Sequence, residues 1–286
     1  MGLGGYLTWT AAFRELKEKK LEKEVKILPC EVHGNQITKI VKDQVFDNNP
    51  YVYNESTDQG LKVFALPLNL YETNYCRKDT PTRAYHRYDK HIIEQICEHY
   101  GIEDPDLKCE LYFTNEERRR VDKILTQNNV PSDFVIVEPQ TKDSYTVNKS
   151  YPFVKWQNIV NQLTKKGICV VQIGQKTKDK NLQNVINLTG MTSFREAACI
   201  ISRSKLLISA EGGLMHAANA VDTKSVILYT GFISPVMTGY RNNVNLWIGE
   251  KHGPCGMKTT CDKCKQEVES HDEDEVVKVV MREMHG

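Results

Sequence analysis

The stretch Ser-Ala-Glu-Gly-Gly-Leu-Met-His at 209–216 carries the residue types best suited to chemistry in this chain. The glycine pair Gly212 and Gly213 lets backbone approach a ligand with no Cβ in the way. Glu211, just before it, can accept hydrogen bonds from sugar hydroxyls, and His216 lies about one turn further on. An apolar run at 205–208 precedes the stretch and small residues follow at 217–221, an order that reads as buried strand, tight turn and helix. A helix start supplies unpaired N–H groups and partial positive charge, which suit a phosphate. One segment thus offers partners for both halves of a nucleotide sugar. Many strand–glycine–helix junctions of α/β proteins bind nothing, so the segment does not decide alone. Neither Gly-x-Gly-x-x-Gly nor the phosphate-loop pattern accompanies it.

The elements around it alternate. Residues 10–20 read as a helix with Phe13 and Leu16 inward, 25–30 and 61–66 as strands, and 45–52 as a turn-rich piece. A helix over 91–100 stops at Gly101, and Thr114 opens another that runs to about 127. Residues 128–133 have linker composition. Beyond them, strands at 134–137, 168–173, 205–209 and 225–229 are separated by helices at 154–166, 194–202 and 217–221. Single helices between apolar strands predict a doubly wound parallel sheet. Its ligands bind beyond the carboxyl ends of the strands. Gly174, the Glu211–Gly213 turn and Gly231 all fall at such ends. A last helix follows the acidic residues 272–275, with Val276, Val280 and Met284 on one stripe.

The 286 residues are enough for two ordinary domains. A net charge of +1 gives no basic field for nucleic acid, and no apolar run approaches the ~20 residues of a membrane helix. No signal peptide is legible, and Cys30, Cys76, Cys97, Cys109, Cys169 and Cys199 are scattered. Reduced thiols in a cytoplasmic protein are expected.

Several motifs, in order, carry a family resemblance. They are Gly2-Leu3-Gly4-Gly5-Tyr6-Leu7, Lys149-Ser150-Tyr151-Pro152 followed by Trp156, and Asn187-Leu188-Thr189-Gly190-Met191-Thr192-Ser193. The 209–216 stretch and Thr230-Gly231-Phe232-Ile233-Ser234-Pro235 complete the set, and residues 91–102 are similar to an acceptor-domain helix. Together they resemble glycosyltransferase family 9, the heptosyltransferases of lipopolysaccharide core synthesis. The resemblance covers most of the chain. It implies a GT-B fold, with two Rossmann-like domains of parallel sheets facing a cleft. Residues 1–130 would form the acceptor domain, 131–268 the nucleotide-sugar domain, and 269–286 a helix packing back toward the first. It implies sugar transfer with inversion and without a metal, from an ADP- or UDP-linked donor to a glycan or lipid-linked acceptor. No cofactor and at most peripheral attachment to the inner membrane face are implied. By position Lys149 would neutralise the diphosphate, Gly212 and Gly213 would donate N–H groups, and Glu211 would hold sugar hydroxyls. Gly174 and Met191 would line the donor site, Met191 near the base, and His216 would orient phosphate or sugar. Gly2, Gly4 and Gly5 would form a glycine loop.

Three departures from the pattern matter. The family's glycine loop carries an Asp as general base, where this chain has Gly5. Substitute bases to weigh are His33, Glu31, His86 and Asp89. The family's first strand before the loop is expected to be missing, through a truncated start or a degenerate N-terminal domain. The signature Asp is Glu211, and its hydroxyl neighbour is Gly212, which points to a donor other than an ADP-heptose. Cys255, Cys261 and Cys264 form Cys-x5-Cys-x2-Cys. That spacing is compatible with a metal knuckle completed by His252 or His271, while the family places a structural cysteine loop nearby, occasionally with a disulfide. A non-catalytic sugar-nucleotide-binding protein of the same fold is the alternative reading. A nucleotide-sugar epimerase of similar fold is a third, against which Lys149 and Glu211 argue.

Overall fold

The computed structural model describes residues 2–176 and 181–285. Its first element is a helix, α1 (Leu3–Lys19), rather than the glycine loop expected at Gly2, Gly4 and Gly5. Gly2 caps α1, while Gly4 and Gly5 lie in its first turn. Every residue from Leu7 to Leu16 is buried, so the helix packs on all sides rather than along one stripe. The polar members of that run are paired. Arg14 donates to the carbonyls of Asp106 and Lys108 and to the Glu15 carboxylate, which also accepts the Asp106 N–H.

Strands β1 (Lys26–His33), β2 (Gln36–Ile40) and β3 (Val63–Pro67) form a sheet in the order β2-β1-β3. β1 and β3 run parallel, but β2 turns back antiparallel through Gly34 at φ 57°. All of β2 is exposed, so no buried alternation marks it in the sequence. A hairpin of β4 (Cys76–Asp79) and β5 (Ala84–His86) follows. Helices α2 (Ile92–His99) and α3 (Asn115–Gln127) open on reciprocal caps at His91 and Thr114, and Gly101 ends α2 at φ 64°.

The second half alternates β6 (Val135–Glu138), α4 (Phe153–Lys165), β7 (Val170–Gln172), β8 (Ile186–Asn187), α5 (Phe194–Ile201) and β9 (Leu206–Ala210). It continues through α6 (Gly213–Ala220), β10 (Ser225–Tyr229), α7 (Pro235–Thr238), β11 (Val244–Trp247), α8 (Asp262–Ser270) and α9 (Asp274–His285). The sheet order is β11-β10-β9-β6-β7-β8, parallel throughout. β9 and β10 are buried along their whole length, as covered parallel strands must be.

One apolar core runs from α1 and α2 through α5 and α6, taking side chains such as Phe13, Ile93, Ile200 and Met215. A second lies on the other sheet face and holds Trp156, Ile159, Val276 and Val280. The last helix, α9, contributes to this second core. Its valine stripe covers β9 and β10 beside α4. No helix among the described residues is long and apolar enough to cross a membrane.

α3 and α5 are locked by Arg195 and Glu117, both nearly buried, with Arg195 Nε 2.5 Å from Glu117 Oε1. Arg195 also donates to the carbonyls of Gln44 and Tyr112. That pairing, outweighing burial, lowers the Glu117 carboxyl from 4.5 to about 2. Arg195→Met leaves the Glu117 carboxylate without its cation and should cost about 3–5 kcal/mol in urea unfolding. In the parent chain this pair's contribution should be complete above pH 4.5 and disappear as pH falls toward 2. A variant whose acid unfolding overlays the parent's would exclude the assignment.

Candidate functional site

The chain leaves β6 toward β7 on one side, then returns to place β9 on β6's other side. Beyond the carboxyl ends of β6 and β9, connections therefore diverge and leave a crevice. The residues following those two strands meet there. Glu211 follows β9, and Lys149 closes a short 3-10 turn (Val147–Lys149) in the connection from β6 to α4.

The Lys149 ammonium forms an ion pair with the Glu211 carboxylate and stands 5.2 Å from the centre of the Phe232 ring. Glu211 is 7% exposed. Burial by itself would raise its carboxyl, yet Lys149, with His216 and His86, brings it below the ordinary value. Lys149 and Glu211 line one recess with Thr230, Phe232 and Ile233. Gly212 precedes α6 at φ 175°, an extended conformation open to any residue. A Cβ on Gly212 or Gly213 would meet only ordinary contacts, the nearest at 4.0 and 3.7 Å. The fold does not itself demand a bare turn here.

His216 is brought to the pair but faces another way. Its Nδ1 lies 2.6 Å from the Tyr240 hydroxyl, and its ring abuts α1. A Cβ on Gly4 would stand 2.8 Å from that ring and 3.3 Å from the Gly213 Cα, so Gly4 serves close helix packing. Burial, assisted by Lys149, lowers the imidazole to about 4, leaving it neutral near pH 7. Gly174 sits at φ 132° beyond β7, and its carbonyl accepts the Gly190 N–H at 2.8 Å. Met191, next to Gly190, is 53% exposed.

The candidate bases separate. His33 is exposed at the β1–β2 turn, Glu31 lies 3.7 Å from the Lys39 ammonium, and Asp89 is exposed and bonded to Arg87. His86 is buried beside the ion pair. It stacks on Tyr75 at 5.1 Å, meets Phe232 edge-on at 5.3 Å, and holds the Tyr88 hydroxyl at 2.9 Å through Nδ1. Burial, then Lys149, lowers it to about 4. Glu138 escaped the sequence reading. It ends β6 in register with Ser209, and loss of hydration pushes its carboxyl up to about 8. A lone carboxylate between the apolar run 134–137 and Pro139 was its only signal.

A loop at 253–264 supports this arrangement. Asn148 donates to the carbonyls of Met257 and Thr259 and accepts the Cys261 N–H. The Cys255 N–H donates to the Gly231 carbonyl, and the Gly256 carbonyl accepts the Ala84 N–H. Lys149, Phe232 and His86 thus hang on one loop. The thiols of Cys255, Cys261 and Cys264 lie within 4.8 Å of one another, unbonded. Neither histidine expected as a fourth ligand joins them. His252 is turned to Glu267, and His271 uses both ring nitrogens on Tyr151 and Glu275.

Residues 81–272 match the family model of glycosyltransferase family 9 (heptosyltransferase). Lipopolysaccharide heptosyltransferase 2 of Salmonella typhimurium strain LT2 is 32% identical over 103 residues, 32% of this chain and 29% of that protein. The aligned segment thus spans under a third of that relative. Among solved structures, a family 9 glycosyl transferase from Veillonella parvula has a TM-score of 0.68 at 15% identity, over 99% of this chain and 94% of that one. ADP-heptose lipopolysaccharide heptosyltransferase II of Escherichia coli gives 0.64 at 14%, over 99% and 96%. The iron-containing dodecameric glycosyltransferase TibC of enterotoxigenic Escherichia coli gives 0.63 at 14%, over 100% and 74%. The expected GT-B architecture is therefore present.

Removing Lys149 alone strands a buried carboxylate. Lys149→Ala should cost about 1–3 kcal/mol in urea unfolding. Adding Glu211→Gln should return part of that loss, because the two sites share one interaction. Strictly additive single and double variants would show the pair to be uncoupled.

Proposed function

This chain belongs to glycosyltransferase family 9, and from that premise we propose that it transfers a sugar, a heptose or a relative, from a nucleotide-sugar donor. The acceptor is a glycan or a lipopolysaccharide-type precursor. The observation that carries this reading is the meeting of a lysine with a bare Gly-Gly turn at the crevice where the strand order reverses. A donor diphosphate placed there would accept N–H groups from Gly212 and Gly213 and draw the Lys149 ammonium from Glu211. Glu211, so released, would accept sugar hydroxyls.

The chemistry is a displacement at the anomeric carbon. The acceptor oxygen attacks from the face opposite the diphosphate, the bond to the diphosphate oxygen breaks, and the centre inverts. Fixed N–H groups and the lysine cation stabilise the leaving charge without a metal in the reaction. The acceptor proton would go to His86, whose ring lies against Phe232 beside the ion pair and whose buried Nε2 has no hydrogen-bond partner. Its low basicity sets its contribution near the lower end of general-base catalysis, about 100-fold. A specific observation also favours the alternative of a binding protein that no longer transfers. Gly5, at the family's general-base position, lies in the first turn of α1 and has no side chain to take a proton.

Calorimetry with ADP and UDP, then with ADP- and UDP-sugars, tests the donor site. Lys149→Ala should weaken binding by about 1.5–3 kcal/mol, roughly 10–150-fold. No heat with any of them would sink the reading. His86→Phe should leave donor affinity intact and reduce transfer about 100-fold. Donor binding without transfer to any glycan in the parent chain would favour the binding protein.

A further inference from the structure

Three of the nine cysteines behave unlike the rest. Cys30, Cys97 and Cys199 are single buried thiols within apolar elements, and Cys109 meets the Tyr240 hydroxyl at 3.1 Å. Cys255, Cys261 and Cys264 instead form a separate buried cluster, with Met257 packed against it. Their sulfurs, all within 4.8 Å, form no disulfide. Apolar packing does not explain three thiols drawn together apart from either core.

The surroundings suit thiolates. The Met257 N–H donates to Cys255 Sγ at 3.4 Å, across a turn in which Gly256 has φ 61°. Cys261 caps α8 and keeps its sulfur free of any capping bond, and Cys264 sits in that helix's first turn. The N-terminal end of α8 therefore adds partial positive charge. Gly231 makes room for the third sulfur, since a Cβ there would lie 2.7 Å from Cys264 Sγ.

We propose that Cys255, Cys261 and Cys264 bind one thiophilic divalent metal ion, zinc(II) or iron(II), through three sulfurs. Sulfurs about 2.3 Å from a tetrahedral ion are about 3.8 Å apart, so the cluster needs to contract by no more than about 1 Å. The fourth position belongs to water or an exogenous ligand, because both nearby histidines are engaged elsewhere. Each thiol releases a proton as its sulfur–metal bond forms, and no redox change is required. The ion's role is positioning. It clamps the loop that holds Asn148 and Gly231, and through them Lys149 and Phe232.

The test uses the whole chain, purified with a thiol reductant and without chelator. Elemental analysis should find close to one equivalent of zinc or iron, which also separates the two ions. Cobalt(II) added to the stripped chain should give the strong near-ultraviolet charge-transfer band and visible bands of tetrahedral thiolate coordination. Alkylation mapped by mass spectrometry should show metal-dependent protection of Cys255, Cys261 and Cys264 and none at Cys76. This mapping needs no variant, so misfolding cannot obscure it. Cys264→Ser should weaken metal binding by more than the roughly 10–100-fold that loss of an outer-shell partner causes. A stripped, reduced chain that takes up neither zinc, iron(II) nor cobalt(II) would overturn the proposal. So would a disulfide among the three, or equal alkylation with and without metal. None of these readings depends on sugar transfer.

Discussion

A carboxylate taken out of water stays ionised only beside a cation, and Glu211 is almost wholly out of water. That constraint fixes Lys149, and Lys149 in turn fixes much else. The 3-10 turn ending at Lys149 must aim inward, so Asn148 beneath it must be held on several sides. Phe232 lies against the ammonium and carries the loop after β10 with it. A buried ion pair is a weak source of net stability, since desolvation offsets most of the attraction.

The loop at 253–264 brings together parts of the chain that are distant in sequence. It accepts from the β4–β5 hairpin, donates to the loop after β10, and grips the connection after β6. His86 belongs to that hairpin, so a residue of the first half stands beside the ion pair of the second. Charge in the recess is therefore balanced between Lys149 and Glu211, with the imidazoles of His86 and His216 alongside.

The parallel strands of the second half were legible because sheets covered on both faces require unbroken apolar runs, as in Val135–Val137 and Leu206–Ile208. The cap at Thr114 and the stop at Gly101 were legible for local reasons of hydrogen bonding and backbone freedom. The glycines at the start were misread. The resemblance implied a loop there, whereas Gly4 and Gly5 lie in the first turn of α1, with Gly4 packed closely on α6. His86 stood only among several candidate bases, because its burial comes from a hairpin docking on a distant loop. The three cysteines could be grouped by spacing, whereas the engagement of both histidines depends on α8 and α9, whose side chains meet only in the fold.

The fit of Gly4 against His216 and Gly213 has one more consequence. α1 and α6 touch almost backbone to backbone, within an apolar interior that continues from Phe13 to Met215. A clamshell movement of the two halves would have to part that interior and wet it, at about 25 cal/mol for each Å² exposed. Rigid-body opening is thereby disfavoured.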